Sequence, residues 1–136
     1  MKQARTLESH GVKPSAQRLA IFSNLHARRD HPTADEVWAA LSPAMPTLSR
    51  TTVYAALRLF CEKGLSRLIL SGGGEMRFDA DTASHAHFLC NACGKVIDIA
   101  TPAPDAQKFP LPRGAKIFAV ETYLTGHCPA CARVLY

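Results

Sequence analysis

Apolar residues recur at helical spacing through the first half of the chain. Residues 3–10 read as a short helix stopped at Gly11. Ser15 is placed to cap a second helix that carries Leu19, Phe22 and Leu25 on one side. Thr33-Ala-Asp-Glu36 has the form of a capping box, and Ala34, Val37, Trp38 and Leu41 follow it at i, i+3, i+4 and i+7. Pro43 and Pro46 end that helix. Ser49 caps a fourth, whose apolar face is Val53, Ala56, Leu57, Phe60 and Cys61 and whose end is Gly64. Cys61 falls on the core side of this helix and reads as a small buried apolar residue.

The period then changes from helix to strand. Leu65 to Leu70 reads as a strand, Gly72-Gly73-Gly74 as a turn, and Met76 to Phe78 as the return strand. Helices followed by a glycine-tipped hairpin are the order of a winged helix-turn-helix. Asp79 to Ser84 is polar and reads as a linker. Beyond it Phe88-Leu89, Val96 to Ile99 and Ile117 to Leu124 read as three strands of a small sheet. Residues 101–112 hold four prolines, so any helix there is short. The expected class is α+β: a winged domain over 1–80, a hinge over 81–84, and a small α/β domain over 85–136.

Charge sharpens this division. Of the formal net charge of +5, residues 1–79 carry 11 Lys/Arg against 7 Asp/Glu, while residues 80–136 carry 5 against 4. The basic balance favours an anionic partner, and composition by itself does not establish one. Four of the five cysteines lie in the second half. With no long apolar run, no signal-peptide pattern and no disulfide-dense spacing, the chain reads as cytoplasmic, with reduced thiols and no membrane association.

Those four cysteines form two knuckles, Cys90-Asn-Ala-Cys93 and Cys128-Pro-Ala-Cys131, separated by the 34 residues 94–127. Zinc, a redox dithiol and plain core cysteines compete for one such pair; two pairs in a reduced chain point to a closed tetrahedral zinc site. Four thiolates leave no open position, so such a zinc is structural. His85 and His87, at i, i+2, project from one side of an extended chain. Asp98 interrupts the apolar run Val-Ile-Asp-Ile, a place where a carboxylate is explained by something that binds it. Each alone reads as a surface histidine or an edge-strand aspartate facing water; together, beside a zinc knuckle, imidazole and carboxylate suit iron, manganese or zinc and favour a second metal site. His10, His26 and His127 have no evident role.

In a helix-turn-helix the second helix of the pair enters the major groove by its N-terminal residues. Here it opens Ser49-Arg50-Thr51-Thr52-Val53-Tyr54. Thr51, Ala55 and Arg58 lie opposite its apolar face, with Tyr54 on the flank. Arg50 suits a guanine edge or a phosphate, and Tyr54 and the threonines suit thymine methyls. Arg18, Arg28, Arg67 and Arg77 are candidates for phosphate contacts. The competing reading is an ordinary solvated helix face; the helix–helix–wing order favours DNA.

Several of these pieces together resemble the ferric uptake regulator (Fur) family of metal-dependent repressors: Ser-Ala-Gln-Arg at 15–18, His-Pro-Thr-Ala-Asp-Glu-Val at 31–37, Thr-Thr-Val-Tyr at 51–54, Arg-Phe-Asp at 77–79, His-x-His-Phe-x-Cys-x-x-Cys-Gly at 85–94 and Gly-His-Cys at 126–128. The resemblance is strongest to its peroxide-responsive (PerR) branch, where aspartates stand at positions corresponding to Asp79 and Asp98. It implies a homodimer on a palindromic double-stranded DNA operator, with the second domain as the dimerisation domain. It also implies a regulatory Fe(II) or Mn(II) held by His31, Asp79, His85, His87 and Asp98. The structural zinc would sit on Cys90, Cys93, Cys128 and Cys131, and Arg18, Ser49, Arg50, Thr51, Thr52, Tyr54 and Arg58 would meet DNA. Iron-bound peroxide would oxidise His31 or His85 and end DNA binding, a self-modification and not enzymatic turnover; peroxide is then the one small molecule acted on. The alternative within the family is a sensor of Fe(II), Mn(II) or Zn(II) with no oxidation step. Ala86 and Val120 stand where a third metal site would need ligands, so two metals per subunit are expected. A thiol switch and a metal-dependent hydrolase are the readings from other classes, and no spare general base supports the latter. Ala55 and Ala56 depart from the family's usual polar or basic residues after Tyr54, and the segment 101–112 is shorter than usual.

Overall fold

A computed structural model describes residues 2–28, 30–70, 75–83, 85–102, 104–116 and 120–136, with backbone only at 70 and 106. It divides into two compact units, Met1–Thr82 and Ala83–Tyr136. The class is α+β.

The first unit holds α1 (Lys2–Ser9), α2 (Ala16–Ala27), α3 (Ala34–Leu41) and α4 (Arg50–Glu62), then an antiparallel hairpin of β1 (Arg67–Leu70) and β2 (Met76–Asp79). The turn expected at Gly72–Gly74 lies outside the described residues. Helix starts follow the side-chain chemistry closely: Ser15, Thr33 and Ser49 each accept a backbone N–H three residues on, from Arg18, Glu36 and Thr52. The box at Thr33 is only half of the motif. The Glu36 carboxylate faces Arg28 and Arg77 instead of closing back on Thr33.

Helix α4 ends in a Schellman motif. Gly64 sits at φ +76°, its N–H reaches the Cys61 carbonyl, and the Leu65 N–H reaches Phe60. The helices share one core, in which Leu7, Ile21, Val37, Val53, Leu57 and Phe60 are fully buried. Phe78 joins it from β2. Trp38 lies at its margin and donates its indole N–H to the Leu48 carbonyl at 2.8 Å, fixing the turn between α3 and α4.

The second unit is a three-stranded sheet in the order β4-β3-β5, built from β3 (Ala86–Cys90), β4 (Val96–Ile99) and β5 (Thr122–Gly126). The β3/β4 pair is antiparallel and the β3/β5 pair parallel, so β3 is central and the most buried strand. Strand β5 begins and ends later than the run Ile117 to Leu124, whose residues 117–119 lie outside the described ones. Among the described residues of the proline-rich segment, a single 3-10 turn, Ala106–Lys108, is the helical content. The closing helix α5 (Pro129–Leu135) was not expected from the sequence, because the second knuckle reads as a turn. Pro129 at its first position supplies a preset φ and gives up no needed donor.

Candidate metal centres and nucleic-acid interface

Strand β3 ends at Cys90, and the three-residue turn after it brings Cys93 back beneath the strand. Strand β5, parallel to β3, delivers Cys128 and the first turn of α5 delivers Cys131 to the same place. The four sulfurs lie within 4.8 Å of one another, with Cys93 Sγ and Cys128 Sγ 3.8 Å apart. Tetrahedral zinc with bonds of about 2.3 Å sets its sulfurs about 3.8 Å apart, so the spacing suits that ion. Cys90 Sγ accepts the N–H of Cys128 at 3.3 Å and of Cys93 at 3.5 Å. Those amides, Cys128 first, hold the Cys90 thiol down to about 5, and the Cys128 thiol is also lowered, chiefly by the backbone N–H of Cys131. Cys131, facing the sulfur of Cys128 and then that of Cys90, is pushed up to about 12. A divalent metal would offset the negative charge that four crowded thiolates bring together.

On β3, His87 is paired in register with Asp98 of β4 on one side and Tyr123 of β5 on the other. Tyr123 stacks on the His87 ring with centroids 5.8 Å apart. His85, just before the strand, turns its Nδ1 to the Ala83 carbonyl at 2.7 Å. That bond places the proton on Nδ1 and leaves Nε2 with a lone pair. Nε2 of His85 and Nε2 of His87 stand 2.9 Å apart, and Asp98 Oδ1 is 3.4 Å and 3.3 Å from them. Ligands about 2.1 Å from one ion at right angles would lie about 3 Å apart, so this triangle has the dimensions of a two-histidine, one-carboxylate face. Both histidines are buried, while Asp98 on its edge strand is 40% exposed.

In the first unit, His31 is buried in the loop between α2 and α3, with Nε2 3.5 Å from Asp79 Oδ2 at the end of β2. Its φ of +52° is left-handed, a conformation that costs a histidine about 1–2 kcal/mol. The Arg77 guanidinium donates to the His31 carbonyl at 3.1 Å, and the Phe78 N–H to the Pro32 carbonyl at 2.9 Å. Asp79 Oδ1 in turn accepts the Asp81 N–H at 2.9 Å.

Of the residues expected at DNA, Ser49, Arg50, Thr51, Tyr54 and Arg58 are exposed along α4, and Thr52 and Arg18 are half-buried. The Arg50 guanidinium lies over the Trp38 ring, 4.4 Å from its centroid, and near Asp35. Tyr54 and Arg58 are joined at 3.2 Å. Arg50, Thr51 and Tyr54 face Glu75 and Met76 of the hairpin across an open groove. Arg18 donates to the Lys13 carbonyl, tying the start of α2 to the loop before it.

The arginines offered as phosphate contacts fare differently. Arg28 is bidentate to Asp30, at 3.0 and 2.8 Å, and also meets Glu36. Arg77 meets Glu75, Glu36 and the His31 carbonyl. Both are held by acceptors of their own unit. Arg67 stands opposite Asp79 in the hairpin register. Sequence reasoning missed Arg77 and Tyr123 as neighbours of the histidines. The register of β3 with β5, which brings Tyr123 to His87, is a long-range fact that spacing along the chain does not carry. His26 stacks on Phe22, and His127 Nδ1 meets the Tyr136 hydroxyl at 2.9 Å.

A winged helix-turn-helix joined to a small sheet bearing a four-cysteine cluster defines a metal-responsive regulator of transcription. The chain belongs to the ferric uptake regulator family, whose profile matches residues 9–124. Proteins of this family are transcriptional regulators and not enzymes. Among curated proteins the chain is 41% identical over 100 residues to the peroxide-responsive repressor PerR of Staphylococcus saprophyticus, covering 74% of this chain and 68% of that one. It is 40% identical over 100 residues to PerR of Staphylococcus epidermidis, covering 74% and 67%. Among solved structures it is similar to the ferric uptake regulator of Pseudomonas aeruginosa with manganese, at 28% identity and a TM-score of 0.74 over 95% of this chain and 99% of that one. PerR from Streptococcus pyogenes shares the fold at 24% identity and a TM-score of 0.54, over 96% and 90%. Among the described residues, no helix is long and apolar enough to cross a membrane.

Proposed function

We propose that this chain is a homodimeric repressor that binds a palindromic DNA operator and senses hydrogen peroxide through a regulatory metal. The observation that carries the reading is the convergence of His85 Nε2, His87 Nε2 and Asp98 Oδ1, at 2.9–3.4 Å, in a chain about 40% identical to peroxide-responsive repressors. His31 and Asp79 complete the ligand set, as the family resemblance implies. Cys90, Cys93, Cys128 and Cys131 hold a structural zinc, and α4 reads the operator from Ser49, Arg50, Thr51, Thr52, Tyr54 and Arg58, with Arg18 beside it.

The residues divide the work. Ala83 fixes the tautomer of His85, and Tyr123 fixes the plane of His87. Two aspartates and three imidazoles would suit Fe(II) or Mn(II) over a softer ion. Bound iron would supply the reductive activation of peroxide. In net terms one peroxide oxygen enters a C–H bond of the His31 or His85 ring and the other leaves as water. An oxidised imidazole is a poorer ligand, so the metal-held, DNA-competent population falls.

The test is mass spectrometry of Fe(II)-loaded protein after a small dose of peroxide, beside a Mn(II)-loaded control. Gain of one oxygen on His31 or His85 with iron only, together with lost operator binding, is the expected result. Unmodified histidines in metallated protein that still binds DNA would leave the second reading, an Fe(II), Mn(II) or Zn(II) sensor with no oxidation step, which the same triangle of donors also suits.

A further inference from the structure

His31 occupies a left-handed backbone conformation in the middle of the loop 28–33, and no glycine is there to make it easy. The loop is gripped on both sides of that residue. Arg28, at the C-cap of α2, holds Asp30 through two hydrogen bonds, and it also donates to the Glu36 carbonyl at 3.3 Å. On the other side, Arg77 of β2 donates from Nη1 to the His31 carbonyl at 3.1 Å. Nη1 also faces Glu36 Oε1 at 3.5 Å, and Nη2 donates to Glu75 Oε2 at 3.0 Å. Glu36, at the start of α3, bridges Arg28 and Arg77. The Arg77 Nε is enclosed and has no acceptor among the described residues, so its place is not set by the best available solvation.

We infer that Arg77 is a positioning residue for the metal ligand His31: its forked guanidinium, steered by Glu36 and Glu75, holds the strained His31 backbone so that the imidazole stands ready beside Asp79. The inference rests on the proposed role of His31 as a ligand. A lysine could not reach the carbonyl and both carboxylates at once, because it lacks the planar fork. The cation's charge works in the opposite sense. On Coulomb's law alone, removing Arg77 would tighten binding of a divalent metal nearby. If the residue positions the ligand, removing it weakens binding, so the sign of the change separates the two.

The experiment titrates Mn(II) into protein that retains its zinc, following free Mn(II) by electron paramagnetic resonance. R77Q is expected to weaken Mn(II) about tenfold, in the range found for residues that orient metal ligands. R77K, which keeps the charge and loses the fork, should fall between R77Q and the parent. In a His31→Ala background R77Q should weaken binding no further, whereas a general loosening of the unit would add to it. Zinc content by elemental analysis and the unfolding midpoint followed at Trp38 report that each variant is folded. Should R77Q not fold, R77K alone carries the test. Binding by R77Q as tight as the parent or tighter, with His31→Ala weak, overturns the positioning role and leaves the ligand assignment standing; so does an additive double variant. If His31→Ala binds Mn(II) as the parent does, the ligand assignment itself fails and takes the inference with it.

Discussion

A 3.2 Å contact with the Ser66 hydroxyl sets the half-buried Cys61 apart from the four knuckle cysteines. Burial pushes its thiol above the usual 9.0, the Ser66 contact offsetting only part of that. A thiol whose pKa is raised by folding adds stability below pH 9.0, where both states are neutral, and loses it as pH climbs toward the folded value. Relative to Cys61→Ala, the parent should therefore lose stability between pH 8 and pH 10, measured by urea unfolding followed at the single tryptophan. Under native conditions at pH 8, iodoacetamide should leave Cys61 unlabelled by mass spectrometry. A labelled Cys61 would mean that the core side of α4 opens readily. The same scale shows what the sequence conceals: Asp98 reads as an oddity in an apolar run, and only the pairing of β4 with β3 reveals that it faces His87.

At the scale of elements, helix starts and the β1/β2 hairpin were legible, and the partners within the second sheet were not. Caps at Ser15, Thr33 and Ser49 act within three residues, so spacing along the chain specifies them. The parallel pairing of β3 with β5 joins residues some 36 positions apart, Ala86 with Thr122, and no local pattern encodes it. Helix α5 was hidden because a Cys-x-x-Cys reads as a turn, whereas Pro129 in fact starts a helix inside it. Ser49→Ala should cost about 1 kcal/mol, removing both the cap on the Thr52 N–H and the 2.8 Å bond to the Thr52 hydroxyl. A thermal midpoint lower by about 4–8 °C would register it. An unchanged midpoint would mean that water replaces the cap without loss. In the first knuckle, Gly94 lies at φ +76° with open space where a side chain would go. Gly94→Ala should therefore cost about 1 kcal/mol of backbone strain alone, seen as easier loss of zinc to a competing chelator. Equal retention would show that the knuckle relaxes around it.

At the scale of the whole molecule, the two units draw on different sources of order. The first has a continuous apolar core beneath four helices. The second is small, and its cysteine cluster sits at the shared end of β3 and β5. A strong zinc chelator should accordingly unfold residues 83–136 while leaving helical circular dichroism and Trp38 fluorescence of the first unit in place. Limited proteolysis would then leave a protected fragment near 1–82. Survival of both units without zinc would show that the sheet holds without its clip.

That clip also bears on time. Cys90 and Cys128 are 38 residues apart, and closing a loop of that length costs about 4 kcal/mol of chain entropy. Helices and a hairpin form from neighbours along the chain, so the first unit should emerge quickly from a ribosome or from denaturant. The parallel pair cannot, until its distant ends meet. With zinc in the cluster, as proposed, metal supply would set the pace at which a new chain completes its fold: in zinc-poor medium, refolding should show a fast helical phase and a second phase whose rate climbs with added zinc.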